Sequence, residues 1–225
     1  MSAFPQLING YTATMISMSW QLAFITVAIL LAYEMALLWV QRRSPELLAR
    51  AAHANLREEW FAALSKQPGS EILAIQTLRN SLMSATMTAS TAALGLIGSA
   101  TLLAPTLNSS LGADDAVARN ITARLAMELV LLAVLFASLV CSAMAVRYYN
   151  HAGFFSGMPV ASEERQRWAP TAVGYLRRAG LLYSWGLRHL LMVAAVLAFI
   201  VYPLAGPVAA LAVVAALVVF DRFPA

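Results

Sequence analysis

"LRHLLMVAAVLAFIVYPLAGPVAALAVVAALVVF", residues 187–220, runs for 34 residues with one arginine and one histidine at its start and no other charge. As a single helix it would be about 51 Å long, well beyond the ~30 Å hydrocarbon layer of a bilayer. Pro203, Gly206 and Pro207 fall at its middle. A proline inside a helix removes an amide donor and collides with the preceding turn. The run is therefore read as two short spans, about 187–202 and 207–220, joined by a tight turn. The other reading is one long, kinked and tilted helix, giving four spans in all.

Outward from this run the chain keeps the same character. Of its 225 residues 60% are hydrophobic and 12% charged, with mean hydropathy +0.70, too apolar for a soluble globule of this size. Further apolar runs cover about 19–40, 77–103 and 125–148. Helices satisfy their own backbone in lipid, and no alternating pattern of barrel strands is present. The expected fold is all-α: a polytopic transmembrane bundle of five spans in one membrane domain over 1–225. Segments 41–76 and 149–186 then lie on one side and carry amphipathic helices. The start, "MSAFPQLINGYTATMISMSW", has no basic stretch before its apolar residues, so a cleaved signal peptide is not expected.

The segment after the first span opens with Ser44, Pro45 and Glu46, a cap, a first-turn proline and a first-turn acid. Leu48, Ala52, Leu56, Trp60 and Ala63 share one helical face, to be laid on the membrane surface with Trp60 as anchor or packed on the bundle. "QPGS" (67–70) ends this helix, and Ser70 with Glu71 starts the next. The second span is crowded with small residues, Ser84 and Thr88, then Thr91, Gly95 and Ser99. These let backbones approach closely, so this helix is expected at the centre of the bundle. Ser162 is a further expected cap. Asn108 and Asn120 match the glycosylation pattern, which is short enough to arise by chance.

Thirteen of the fifteen basic residues fall on one side or at its helix ends, against Arg119 and Arg124 on the other. This bias predicts a multi-pass protein of the inner (plasma) membrane, with the basic loops cytoplasmic and the N-terminus outside. The net charge of +4 and pI near 9.6 follow from these flanking residues, which form no continuous basic face, so nucleic acid is not an expected partner. The lone Cys141 lies in an apolar run. It permits no intrachain disulfide, argues against structural zinc, and reads as a core residue.

Three span ends on the basic side pair arginine with an amide or imidazole: Arg79 with Asn80, Arg147 with Asn150 and His151, and Arg188 with His189. Arginine anchors alone do not need such neighbours, whereas a hydrogen-bonded network or a site for an anion or lipid headgroup does. Glu34 lies about 9 Å below the end of its span, where a carboxylate needs a partner, and pairing with Arg79, Arg147 or Arg188 is expected. Glu128 has Arg124 one turn earlier.

"NLREEW" (55–60), "LAIQTLRNSLMSATMTAST" (73–91), "RYYNHAGF" (147–154) and "GLRH" (186–189) resemble a family of integral membrane proteins of bacteria and plants, catalogued as domain of unknown function 599. The likeness covers about residues 20–220. It implies a multispan membrane fold and carries over no catalytic role.

The first functional expectation is a non-enzymatic membrane protein that binds lipid phosphate or a partner through this collar, as accessory subunit, scaffold or homo-oligomer. A second is a small-anion channel or transporter with the collar as its site. A third is a redox subunit holding haem through His53, His151 or His189, although these histidines fall at or beyond the span ends. Met83 and Met87 are one turn apart but read as packing residues. No HExxH, phosphate loop, GxSxG or Cys and His constellation occurs, so neither enzyme activity, a cofactor nor a metal is expected.

Overall fold

A computed structural model describes residues 3–44, 49–111 and 121–221. They form six helices: α1 (Ala3–Arg43), α2 (Ala49–Leu64), α3 (Glu71–Leu111), α4 (Ala123–Ser156), α5 (Glu163–Val201) and α6 (Ala205–Asp221). Among the described residues the stretches Ile16–Arg43, Glu71–Ser109, Ala123–Ser156 and Glu163–Val201 are long and apolar enough to cross a membrane. The 17-residue α6 is apolar too, but about 25 Å long. The helix start at Ser44 to Glu46, Leu48 and Asn120 fall wholly or partly outside the described residues.

The last apolar run does break in two. Tyr202 is extended, its N–H returns to the Ala198 carbonyl, and α6 begins three residues later. Glycine is needed at 206, because a Cβ there would stand 2.7 Å from Phe199 Cβ and 2.8 Å from Thr26 Oγ1. The turn thus folds α6 back along α5 and against α1.

The centre of the bundle is the α4/α5 pair, not α3. Ser138 Oγ donates to the Gly186 carbonyl at 2.7 Å, and a Cβ at Gly186 would run into Ser142 Oγ. Ser138 and Ser142 are fully buried between the two helices. Only 11% of the most apolar stretch of α3 is buried, against 28% to 33% in the other three long helices. The hydroxyls of α3 explain why. Ser84 donates to Asn80 O, Thr88 to Ser84 O and Thr91 to Met87 O, all within 3.1 Å, so they require no second helix. Gly95 does seat Leu135 of α4, 3.1 Å from where its Cβ would be.

Two apolar clusters result. Leu30, Met127, Leu131, Leu135, Met192, Val196, Phe199 and Ala210 fill the membrane part. Phe61, Leu78, Ala145, Tyr149, Ala152, Leu176 and Ala179 fill a second core nearer the basic end, where α2 docks on α5. The buried side of α2 is Ala54, Phe61 and Leu64, while Leu56 and Ala63 of the expected face are exposed. The rotation follows from Arg57, whose guanidinium occupies the space above Gly180 that any larger residue would fill.

The connections at this end are closed by polar contacts. Gly69 takes φ +85°, the left-handed region open to glycine, and Ser70 Oγ donates back to the Leu64 carbonyl at 2.7 Å. Ser162 caps α5 through the Arg165 amide, as expected. Arg165 is only 3% exposed, and its Nη1 donates to the carbonyls of Ser156 (3.2 Å) and Met158 (2.5 Å). A cation so placed satisfies the end of α4 and complements its dipole. Arg165→Ala leaves those carbonyls unpaired, and a loss of about 1.5–3 kcal/mol is expected. Hydrogen exchange should rise in the last turns of α4 and stay unchanged near Leu131.

Candidate functional site at the basic end of the bundle

The collar residues divide into an inward and an outward set. On α5, Ser184 and Arg188 are one turn apart and Arg188 is buried. Its guanidinium pairs with both carboxylate oxygens of Asp221, the last residue of α6, and donates to Ser184 Oγ and to the Tyr33 hydroxyl (3.3 Å). Tyr33 of α1 donates in turn to Asp221 Oδ2. The C-terminus of a helix is an unfavourable place for a carboxylate. The two-pronged match with arginine more than offsets that and clamps α6 to α5 and α1.

The next residue on each helix makes a second pair. Glu34 Oε1 lies 3.1 Å from His189 Nε2. The imidazole is stacked on Trp185, with ring centroids 5.7 Å apart and an angle of 27° between planes. Glu34 is therefore paired, but its partner is His189 rather than any of the three expected arginines. The cause is Asp221, which takes Arg188 and leaves Glu34 to the neighbouring side chain. A groove of about 330 Å³, lined by His53, Ser184, Leu191, Leu217 and the Arg188–Asp221 pair, opens onto this network.

Arg79, Asn80, Arg147 and Asn150 are all exposed, turned away from the network. The seven residues therefore do not form one cluster. Arg79 and Asn150 do come together: with Ile75, Leu78, Leu82, Tyr149 and Gly153 they line an open groove of about 270 Å³ between α3 and α4. On α4, Arg147 and Asn150 lie 24 and 27 residues from Ala123. That is ~36 and ~40 Å, past the ~30 Å hydrocarbon and near headgroup level. His151 is half-buried, its ring 5.7 Å from that of Tyr175. His53 is exposed on α2, and Met83 and Met87 are exposed on α3. At the far end, Arg124 pairs with Glu128 at 3.0 Å, as the spacing predicts.

Sequence reasoning missed Asp221 and Tyr33. The signal for Asp221 was an acid directly after the 34-residue run 187–220, which has the same meaning as Glu34 within its span. Among the described residues no group of three or more His, Cys, Asp or Glu is arranged to hold a metal ion.

No curated protein and no solved structure matches the chain. A family model does match, described as "Protein of unknown function, DUF599", over residues 21–225. With nearly the whole length covered, from the first spanning helix through the Arg188–Asp221 clamp, the chain belongs to that family.

Proposed function

We propose that this is a multi-pass protein of the cytoplasmic membrane, its basic end inside and its N-terminus outside, that acts by binding anionic lipid phosphate in the Arg79–Asn150 groove. One observation carries the reading. An arginine and an amide 71 positions apart line one open groove with an apolar floor of Ile75, Leu78 and Leu82. Guanidinium and carboxamide donors suit phosphate oxygens, and the floor suits the upper part of an acyl chain. Arg188 and His189 leave the binding set, since each faces a carboxylate. Anion transport is less supported, because the packed cluster of Met127, Leu131, Met192 and Val196 stands between the Arg188–Asp221 groove and a groove at the opposite end lined by Trp20, Ile121 and Arg124.

In nanodiscs, thermal stability of the wild type is expected to rise with the fraction of phosphatidylglycerol over phosphatidylcholine. The double variant R79A/N150A is expected to lose that dependence, with anionic lipid bound on the order of tenfold more weakly. An unchanged dependence on phosphatidylglycerol in R79A/N150A sinks the reading.

A further inference from the structure

We infer that the crevice holding Arg57, formed by α2, α3, α4 and α5, is a binding site for the carboxylate of a single-chain fatty acid. It shares Leu78 and Tyr149 with the Arg79–Asn150 groove but contains neither that arginine nor that amide, and it does not rest on the lipid-phosphate reading.

The crevice is built around a cation that the chain leaves unmatched. Arg57 is half-buried on α2, and its guanidinium is seated on Gly180 of α5, where a Cβ would fall 2.6 Å from Arg57 Cζ. The head group therefore lies against bare backbone instead of reaching out to water, as an arginine anchor at a membrane edge does. The neighbouring acid Glu58 is taken by Arg177 at 3.1 Å. Among the described residues Arg57 forms no ion pair or hydrogen bond. A guanidinium held in this way has five donors to offer and a charge that an incoming anion would neutralise. Tyr149, only 4% exposed, lines the same crevice, and among the described residues its hydroxyl has no hydrogen-bond partner either. A buried tyrosine hydroxyl usually has one.

Charge and size select the ligand. Among the described residues that line the crevice Arg57 alone is charged. One guanidinium matches one carboxylate through two parallel N–H···O bonds, whereas a phosphate monoester brings about two negative charges. The volume of about 310 Å³ is at the lower end for ligand pockets and has room for one chain, not for a two-chain lipid. Leu56, Leu78 and Leu176 give apolar walls for its methylenes, and Trp60 adds an amphipathic ring. Depth agrees. Tyr149 lies 26 residues from Ala123, ~39 Å along α4, beyond a ~30 Å hydrocarbon layer and at the level where a fatty acid in the leaflet carries its carboxylate.

The test uses the full chain in phosphatidylcholine nanodiscs with a diazirine-bearing fatty acid, at a pH that keeps it ionised, followed by illumination and peptide mass mapping. Saturable labelling is expected in the peptides carrying Trp60 and Leu78, above that around Leu94 and Ile97, which are exposed on α3. Unlabelled dodecanoate should remove this labelling. Its methyl ester and dodecyl phosphate should compete on the order of tenfold less well, and R57Q should weaken the labelling by a similar factor. The variant R79A/N150A should keep it, which separates this site from the lipid-phosphate groove. Equal competition by the methyl ester or by dodecyl phosphate would overturn the assignment on the wild type, whether or not R57Q folds. Labelling unchanged in R57Q would overturn it as well.

Discussion

Asp221→Asn should lower the unfolding midpoint of the purified protein by on the order of 10 °C. Among the described residues Asp221 is the acid paired with Arg188, whose side chain is 7% exposed while that of Asp221 is 13% exposed. Removing one member of such a pair leaves a guanidinium in a low-dielectric site, which typically costs about 3–5 kcal/mol. The damage should be local, with α6 detaching first, because Tyr33 and Arg188 both reach it through this one residue. The double variant R188M/D221L tests whether charge or shape matters. Two apolar residues of similar volume are expected to restore most of the lost stability, since a buried pair contributes less than its rupture removes. A double variant as unstable as D221N would mean that the polar geometry itself is required.

Gly186→Leu is expected to have an effect of similar size by another route. Beyond Ser142 Oγ, the Cβ of any larger residue would stand 3.2 Å from the Ser142 amide nitrogen and 3.3 Å from the Ser138 carbonyl oxygen. These are backbone atoms of α4, so the helices must separate, and the Ser138 bond to the Gly186 carbonyl is lost with them. Even alanine should be unfavourable. Overpacking of about 1–3 kcal/mol exceeds the ~1 kcal/mol gained from its better helix propensity. Ser142 separates the contributions: its buried hydroxyl has no hydrogen-bond partner. Ser142→Ala alone should therefore be neutral or stabilising, and combined with Gly186→Ala it should recover part of the loss. Thermal unfolding of the four proteins forms a double-mutant cycle, and strict additivity would contradict the proposed contact.

The architecture was legible because a bilayer constrains sequence so strongly. Length and apolarity gave the spanning helices, and Pro203 with Gly206 and Pro207 gave the break before α6. Helix ranking was not legible in the same way. The small residues of α3 satisfy themselves within one helix, while the tight contact is made by Ser138 and Ser142 of α4 against Gly186 of α5; Ser138 and Ser142 have the same four-residue interval as the α3 pairs, so spacing alone does not rank the two helices. The site was half legible. Composition showed which span ends hold polar groups and that Glu34 needs a partner, but adjacent residues on a helix point about 100° apart. Whether Arg188 and His189 face in, while Arg79 and Arg147 face out, depends on how each helix is rotated. Asp221 decided the pairing from the end of a helix whose existence as a separate element was itself only one of two readings.

The proposed function requires that the basic-end residues divide into an inner clamp, Arg188 with Asp221, that holds helices together, and an outer pair, Arg79 with Asn150, that binds lipid phosphate. Native mass spectrometry of protein released from phosphatidylglycerol nanodiscs tests this most directly, in three forms: wild type, R79A/N150A and R188M/D221L. Retained phosphatidylglycerol is predicted for the wild type and R188M/D221L, and its loss for R79A/N150A with the fold intact. Lipid lost from R188M/D221L but kept by R79A/N150A would contradict the division.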